Sequence, residues 1–249
     1  MWEYTIKSSL KNEEHLHYIY NKISNLVLRM VGAITLAKGE SECILSLAVP
    51  EQSENKITKV LRMLLCDIFC EKMKFDYIKD NWCGEVNNNF VDIFVKVCTY
   101  FDLELERKVV MQNLAIGNSV MLDTYIDFCL PKLKQKWADL VNLVNNNVDV
   151  FFQDETFFEI LGFLVLNLKV KEDRIQVYLS SDNASVVIEQ KNLSSIFNVN
   201  DIVGVITKLV ELSPQNVIVI IPRCSNYTID RIVQLFGERV KLVEKLQNV

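Results

Sequence analysis

The sequence predicts a mixed α+β and α/β fold: a central multi-helix body flanked by a small N-terminal βαββ unit and a C-terminal ββαβαβ unit with a partly parallel sheet. Three observations carry this expectation. Ahead of Pro50, bulky and polar residues alternate in short runs around a single helical stripe. From there to about residue 170, apolar residues recur at three and four, the period of a helix packed on one side. Beyond 170 the β-like runs return and culminate in Val217-Ile218-Val219-Ile220-Ile221. An unbroken β-branched run of this kind marks a strand covered on both faces. The expected organisation is a small α/β unit over 1–50, a helical domain over 51–170 and a C-terminal α/β domain over 171–249. No extended strand is expected between 55 and 165.

Element by element, residues 2–7 read as a strand. Leu16, Ile19, Ile23, Leu26, Val27 and Met30 make one stripe on a helix over 12–31 that Gly32 ends. Ala33–Ala37 and Glu42–Val49 form a hairpin around Gly39. Ile57, Val60, Leu61, Leu64, Leu65, Ile68 and Phe69 define the next helix, which closes near Trp82-Cys83-Gly84. A second long helix is expected from Asn89 to Ile116, with Phe90, Phe94, Val97, Phe101 and Leu105 on its stripe and Gly117 past its end. A third, from Leu122 to Val148, contains Pro131, which removes a backbone bond and calls for a kink or break. A fourth, Asp154 to Leu168, is apolar on most sides and reads as buried all round. Arg174–Leu179 and Ser185–Glu189 form a hairpin. A helix over 198–212 then follows, capped by Asn198 or Asn200. After the 217–221 strand come a helix from Ser225 to Phe236, Gly237, and a closing strand over 239–243 that completes a parallel crossover unit.

Composition narrows the class. The chain of 249 residues is half hydrophobic and a quarter charged, with net charge -5, which suits a folded protein rather than a disordered one. An acidic balance does not favour a phosphate backbone, so nucleic acid is not an expected partner. The seven cysteines contain no C-x-x-C pair, and the only histidines are His15 and His17. Structural zinc needs four such ligands in close pairs, so no metal or cofactor is expected. Buried thiols in a reducing cytoplasm are expected instead. The start lacks a basic and apolar leader, and the longest apolar stretch, 160–168, is too short for a bilayer span of about 20 residues. A cytoplasmic location is the expectation.

The second half resembles the YtxC family of sporulation proteins from low-GC Gram-positive bacteria. Leu122-Asp123-Thr124-Tyr125 opens a helix that runs through Asn147-Val148-Asp149-Val150-Phe151-Phe152. Thr156 to Val165 is similar to the family's apolar helix ahead of a hairpin. Leu212-Ser213-Pro214-Gln215-Asn216-Val217-Ile218-Val219 is similar to its buried-strand segment, followed by Ile229-Asp230-Arg231-Ile232-Val233 and Phe236-Gly237-Glu238-Arg239-Val240. The likeness covers 120–245, is looser over 44–82 and fades in the first 40 residues. These motifs are fold signatures and carry no chemistry. The resemblance implies a bacterial cytoplasmic protein linked to sporulation and brings no catalytic residues with it. Members often end in a cysteine-containing segment, whereas no cysteine follows Cys224 here, so a redox or metal role tied to such a tail is not expected.

The strand-to-helix loop Pro222-Arg223-Cys224-Ser225-Asn226 is the candidate anion-binding site. It lies at the carboxyl end of a buried strand, where open α/β sheets take ligands. The following helix would offer N–H groups, and Arg223 a fork of donors. Cys224 in that place would have a lowered pKa. The plainer reading makes Ser225 an ordinary cap and Cys224 a bystander, because no phosphate-cradling glycines are present. His15 and His17 stand about 200° apart on a helix and read as surface residues. Asp102, Glu104, Glu106, Arg107 and Lys108 read as a solvated face, Lys132, Lys134 and Lys136 as scattered charges, and Trp137 as core. No G-x-S-x-G, H-E-x-x-H or paired catalytic His/Asp arrangement is present. The leading expectation is therefore a non-enzymatic interaction or structural protein with an unidentified protein partner and an exposed apolar patch on its helical middle. The alternative is a small-anion or nucleotide binder, or an enzyme, using 222–226. Oligomeric state, homo-oligomer included, stays open.

Overall fold

The structure is a computed structural model that describes residues 1–83, 88–115, 117–151, 154–180, 182–191, 193–221 and 226–244. The fold is mixed α+β. In chain order it runs β1 (Trp2–Ser9), α1 (Glu13–Arg29), β2 (Ala33–Lys38), β3 (Glu42–Val49), α2 (Glu54–Asp67) and α3 (Lys74–Asp80). Next come α4 (Asn88–Tyr100), α5 (Leu103–Asn113), β4 (Ser119–Met121), α6 (Leu122–Cys129), α7 (Pro131–Asn145), α8 (Val148–Phe151) and α9 (Asp154–Asn167). Then follow β5 (Glu172–Leu179), β6 (Ser185–Gln190), β7 (Leu193–Asn198), α10 (Ile202–Leu212), β8 (Pro214–Ile221), α11 (Tyr227–Phe236) and β9 (Val240–Glu244). Among the described residues, no helix is long and apolar enough to cross a membrane. The chain divides into two compact units, each made of two stretches: Met1–Trp82 with Phe101–Asn145, and Cys83–Tyr100 with Asn146–Val249. The helices between 51 and 170 are shared between them.

In the first unit a sheet of order β2-β3-β1-β4 pairs Trp2 with Val49 through Ser9 with Glu42 in antiparallel register. Alternation places Tyr4, Ile6, Cys43, Leu45 and Leu47 on the buried face. Against it α1 packs Leu16, Ile19, Ile23 and Val27. Each such aliphatic side chain contributes roughly 1.5–3 kcal/mol on burial, more than the roughly 1 kcal/mol of a helix cap. That difference explains why α1 forms although the Asn12 side chain makes no cap bond.

The end of α1 differs from expectation in one detail. Gly32 does not supply the left-handed residue; Val31 does, at φ 58°. Gly32 serves by its lack of a side chain, since a Cβ there would meet the Ala48 carbonyl oxygen at 2.5 Å. A β-branched residue in the left-handed region is strained, and Val31 is exposed, so no packing is lost by removing it. Val31→Gly is expected to stabilise the protein by about 0.5–1 kcal/mol net of glycine's unfolded-state entropy, read as a raised urea midpoint. Gly32→Ala should lower it.

Three expectations for the helical stretch are corrected. The single helix over 89–116 is two, α4 and α5, because Asp102 adopts φ 58°, a conformation aspartate tolerates. Phe101 and Leu105, placed on its buried stripe, are exposed. The stretch 55–165 is not strand-free: β4 pairs in parallel with β1 through Thr5–Ser119, Ile6–Val120 and Lys7–Met121, and three residues are too few to show an alternation. The break at Pro131 occurs as expected, with Leu130 between α6 and α7 and Pro131 as the first residue of α7, where a missing N–H costs nothing.

The second unit holds a sheet of order β7-β6-β5-β8-β9, separate from the first among the described residues. β8 is parallel to both β5 and β9, as the crossover pattern requires. Ile175, Val177, Val186, Ile188, Val217 and Val219 form one core with Ile93 of α4, Leu161 and Leu164 of α9, Leu209 of α10 and Ile232 of α11. Two local expectations change here. The helix expected over 198–212 is preceded by a further strand, β7, and begins at Ile202, capped by Asp201 accepting from the Gly204 amide at 2.9 Å. Helix α9 is not buried all round: Phe163 and Leu166, one turn apart, face out, Leu166 at 78% exposure.

Candidate functional site

Helix α2 runs into α3 through a π-helical turn, Ile68–Met73, a distortion frequent at functional sites. Along this segment Cys66, Asp67, Cys70, Glu71 and Lys74 meet Glu106 and Arg107 of α5. Lys74 Nζ donates to Glu106 Oε1 at 2.9 Å and to the Phe101 carbonyl at 2.7 Å. Arg107 Nη2 donates to Asp67 Oδ1 at 2.6 Å and also to Glu71. The expectation of a solvated face over 102–108 is thus corrected at Glu106, which is 4% exposed. The sequence shows Glu106 and Lys74 only as two charges 32 positions apart, with no local signal that they meet.

Burial pushes the Glu106 carboxyl above its ordinary range, against the pull of Lys74 and of the nearby Trp137 indole. Neither Glu106 Oε2 nor Trp137 Nε1 makes a hydrogen bond of good geometry. The hydrogen bond with Cys70 holds the Cys66 thiol low, and the same bond, with burial, drives Cys70 up. These thiols, Lys74 and Glu106 are all sealed from solvent, Lys74 at 1%. A substrate has no approach to them, and the cluster acts as an internal fastener between α2–α3 and α5. Trp137 is core, as expected, tilted against Tyr77.

A second polar cluster ties the chain's start to α6. Asp123 accepts from the Ser9 amide at 2.8 Å, the Ser9 hydroxyl at 3.0 Å and Asn12 Nδ2 at 2.5 Å. Burial opposes its charge, but these bonds outweigh it and hold the carboxyl below the usual range. His15 is not a surface residue: it is buried, with Nε2 3.2 Å from Asp76. His17 is exposed. Cys83 and Cys129, expected to be buried thiols, are exposed. Among the described residues no group of three or more histidines, cysteines and carboxylates could hold a metal ion.

Of the candidate anion loop, Arg223, Cys224 and Ser225 lie outside the described residues. Asn226, not Ser225, caps α11; its Oδ1 accepts from the Thr228 and Ile229 amides at 3.1 and 3.2 Å, so those two first-turn donors are engaged by the cap. Between α9 and α11 lies an open groove of about 300 Å³ lined by Glu155, Phe158, Glu159, Arg231 and Gln234. The Arg231 guanidinium stacks over Phe158 and Tyr227 and donates to Gln234 at 2.8 Å. It is held by its neighbours, in a groove that it shares with the carboxylates of Glu155 and Glu159.

The accessible feature of another kind is β7. It is the terminal strand of its sheet, and its sequence, Leu193-Ser194-Ser195-Ile196-Phe197-Asn198, contains no charge and no proline. Leu193 is 73% and Ile196 68% exposed. Sheet edges are ordinarily blunted by charge, proline or a bulge. The opposite edge, β9, carries Lys241, and β2 of the other sheet ends in Lys38. The signal for β7 in the sequence is a short, uncharged, glycine-free run between hairpin and helix. No family model, curated protein or solved structure matches this chain.

Proposed function

We propose that the chain is a non-enzymatic interaction protein that takes a protein partner by strand addition at the β7 edge, and that it acts in sporulation. The observation that carries the first part is that edge: a terminal strand with backbone groups of Ser194 and Ile196 turned away from the sheet and exposed apolar side chains beside them, the arrangement extended partners complete in β-augmentation. The sealed state of the thiol and ion-pair cluster supports a binding role over a catalytic one. The sporulation part is supported by the resemblance of 120–245 to the YtxC family.

A photo-crosslinking residue at Ile196, introduced in sporulating cells, is expected to give a discrete adduct that the same residue at Lys241 does not. Absence of any adduct at Ile196 would remove the interaction reading. Disruption of the gene should lower the yield of heat-resistant spores, and an unchanged yield would remove the sporulation link.

A further inference from the structure

We infer that the occupant of the β7 edge is a second copy of the same strand, paired antiparallel about a two-fold axis at Ile196, so that two five-stranded sheets join into one. This rests on the interaction reading above and names its partner. The backbone first shows which groups are available. Val199 donates to the Ala184 carbonyl at 3.0 Å, in line with the β6–β7 register of Ser185 with Asn198 through Gln190 with Leu193. In an antiparallel ladder the bonded residues alternate. Phe197, Ser195 and Leu193 therefore bond inward to β6, while the amides and carbonyls of Ser194 and Ile196 and the amide of Asn198 point out of the sheet; the Asn198 carbonyl accepts from the Asp201 amide at 2.9 Å.

Pairing two such strands about Ile196 sets residues opposite one another in a self-consistent way. Ile196 faces its own copy, two exposed apolar side chains closing on each other. Ser194 faces Asn198, a polar pair able to share a hydrogen bond. On the other face Leu193 approaches Val199, and Phe197 approaches Ser195. Past the strand ends, Lys191 of the β6–β7 turn, 3.4 Å from Glu172 and with its side chain 80% exposed, lies on the side of the exposed acidic Asp201 of the other copy. Symmetry makes that opposite-charge approach occur twice. The strand itself is uncharged, so no like charges are brought together, the usual penalty when a strand meets its own copy. Beyond Ile196 the cross-strand row continues through Val187 and Tyr178, so the join extends an apolar row already present on that face.

Sedimentation equilibrium on the purified full chain is expected to give twice the 28.8 kDa chain mass. Ile196→Lys should return it to the single-chain mass with its circular dichroism spectrum unchanged. Ser194→Pro, which removes only an outward-facing N–H, should weaken the dimer in the same direction, and it keeps the test valid if Ile196→Lys fails to fold. Ile196→Cys should form a disulfide-linked dimer on mild oxidation, since bonded antiparallel partners lie about 5.5 Å apart at Cα, within disulfide range. The unsubstituted chain, with Cys83 and Cys129 exposed, should not. A monomer at every concentration, or a dimer indifferent to both Ile196→Lys and Ser194→Pro, overturns self-pairing. If the crosslink from Ile196 then carries a different protein's mass, the interaction reading stands and only the choice of partner falls.

Discussion

Glu106→Ala is expected to destabilise the first unit by about 3–5 kcal/mol, because it leaves the Lys74 ammonium buried and uncompensated. Against the roughly 5–15 kcal/mol of a typical domain, that is enough to bring it near unfolding. Lys74 is left with the Phe101 carbonyl alone, and a neutral oxygen is a poor substitute for a carboxylate. The double variant Lys74→Met/Glu106→Leu should behave differently. Burial raises the proton affinity of Glu106 in the folded state, so its contribution is complete below the unfolded carboxyl pKa and is lost as pH rises through the folded one. Holding the charged pair in the interior thus carries a desolvation cost. Two apolar residues of similar volume should equal or exceed the parent's stability there. Urea midpoints at pH 7, followed by circular dichroism, check both statements. A loss below about 1 kcal/mol for Glu106→Ala would mean that the pair does not hold α3 to α5.

Asp123→Ala is expected to cost about 1.5–3 kcal/mol, the range for hydrogen bonds to a charged acceptor, since Ser9 and Asn12 lose their common partner. The effect has a pH signature. The folded carboxyl lies below the usual range, so its stabilisation is full above about pH 4, the ordinary aspartate value, and drains away as pH falls through the folded pKa. The parent's advantage over Asp123→Asn should therefore be largest near neutrality and shrink in acid. An advantage independent of pH would assign the effect to shape rather than charge.

Much of the fold is legible in the amino-acid order because its cause is local. The stripe at Leu16, Ile19, Ile23 and Val27 and the β-branched run at 217–221 announce elements that the structure contains. What escapes has a non-local or very short cause. β4 exists because β1 offers an edge, not because Ser119-Val120-Met121 favours extension. The break at Asp102 rests on a single backbone dihedral. His15 and Glu106 look like surface charges until Asp76 and Lys74 arrive from elsewhere in the chain. The candidate site follows the same rule. Loop 222–226 stands out by its place after a strand. The β7 edge is visible only once strand order is known, because edge and centre are properties of the sheet.

The interleaving of the two units bears on how the chain is made. Helix α4 packs with α9 and α10, yet it leaves the ribosome some fifty residues before α9 does, judged from Tyr100 and Asp154. At about 5–20 residues per second, its Ile93 and Val97 stay without their native cover for roughly 3–10 s. The first unit likewise waits for α7 to deliver Trp137 before its interior can close. Nascent chains paused in this interval are where chaperone binding should concentrate.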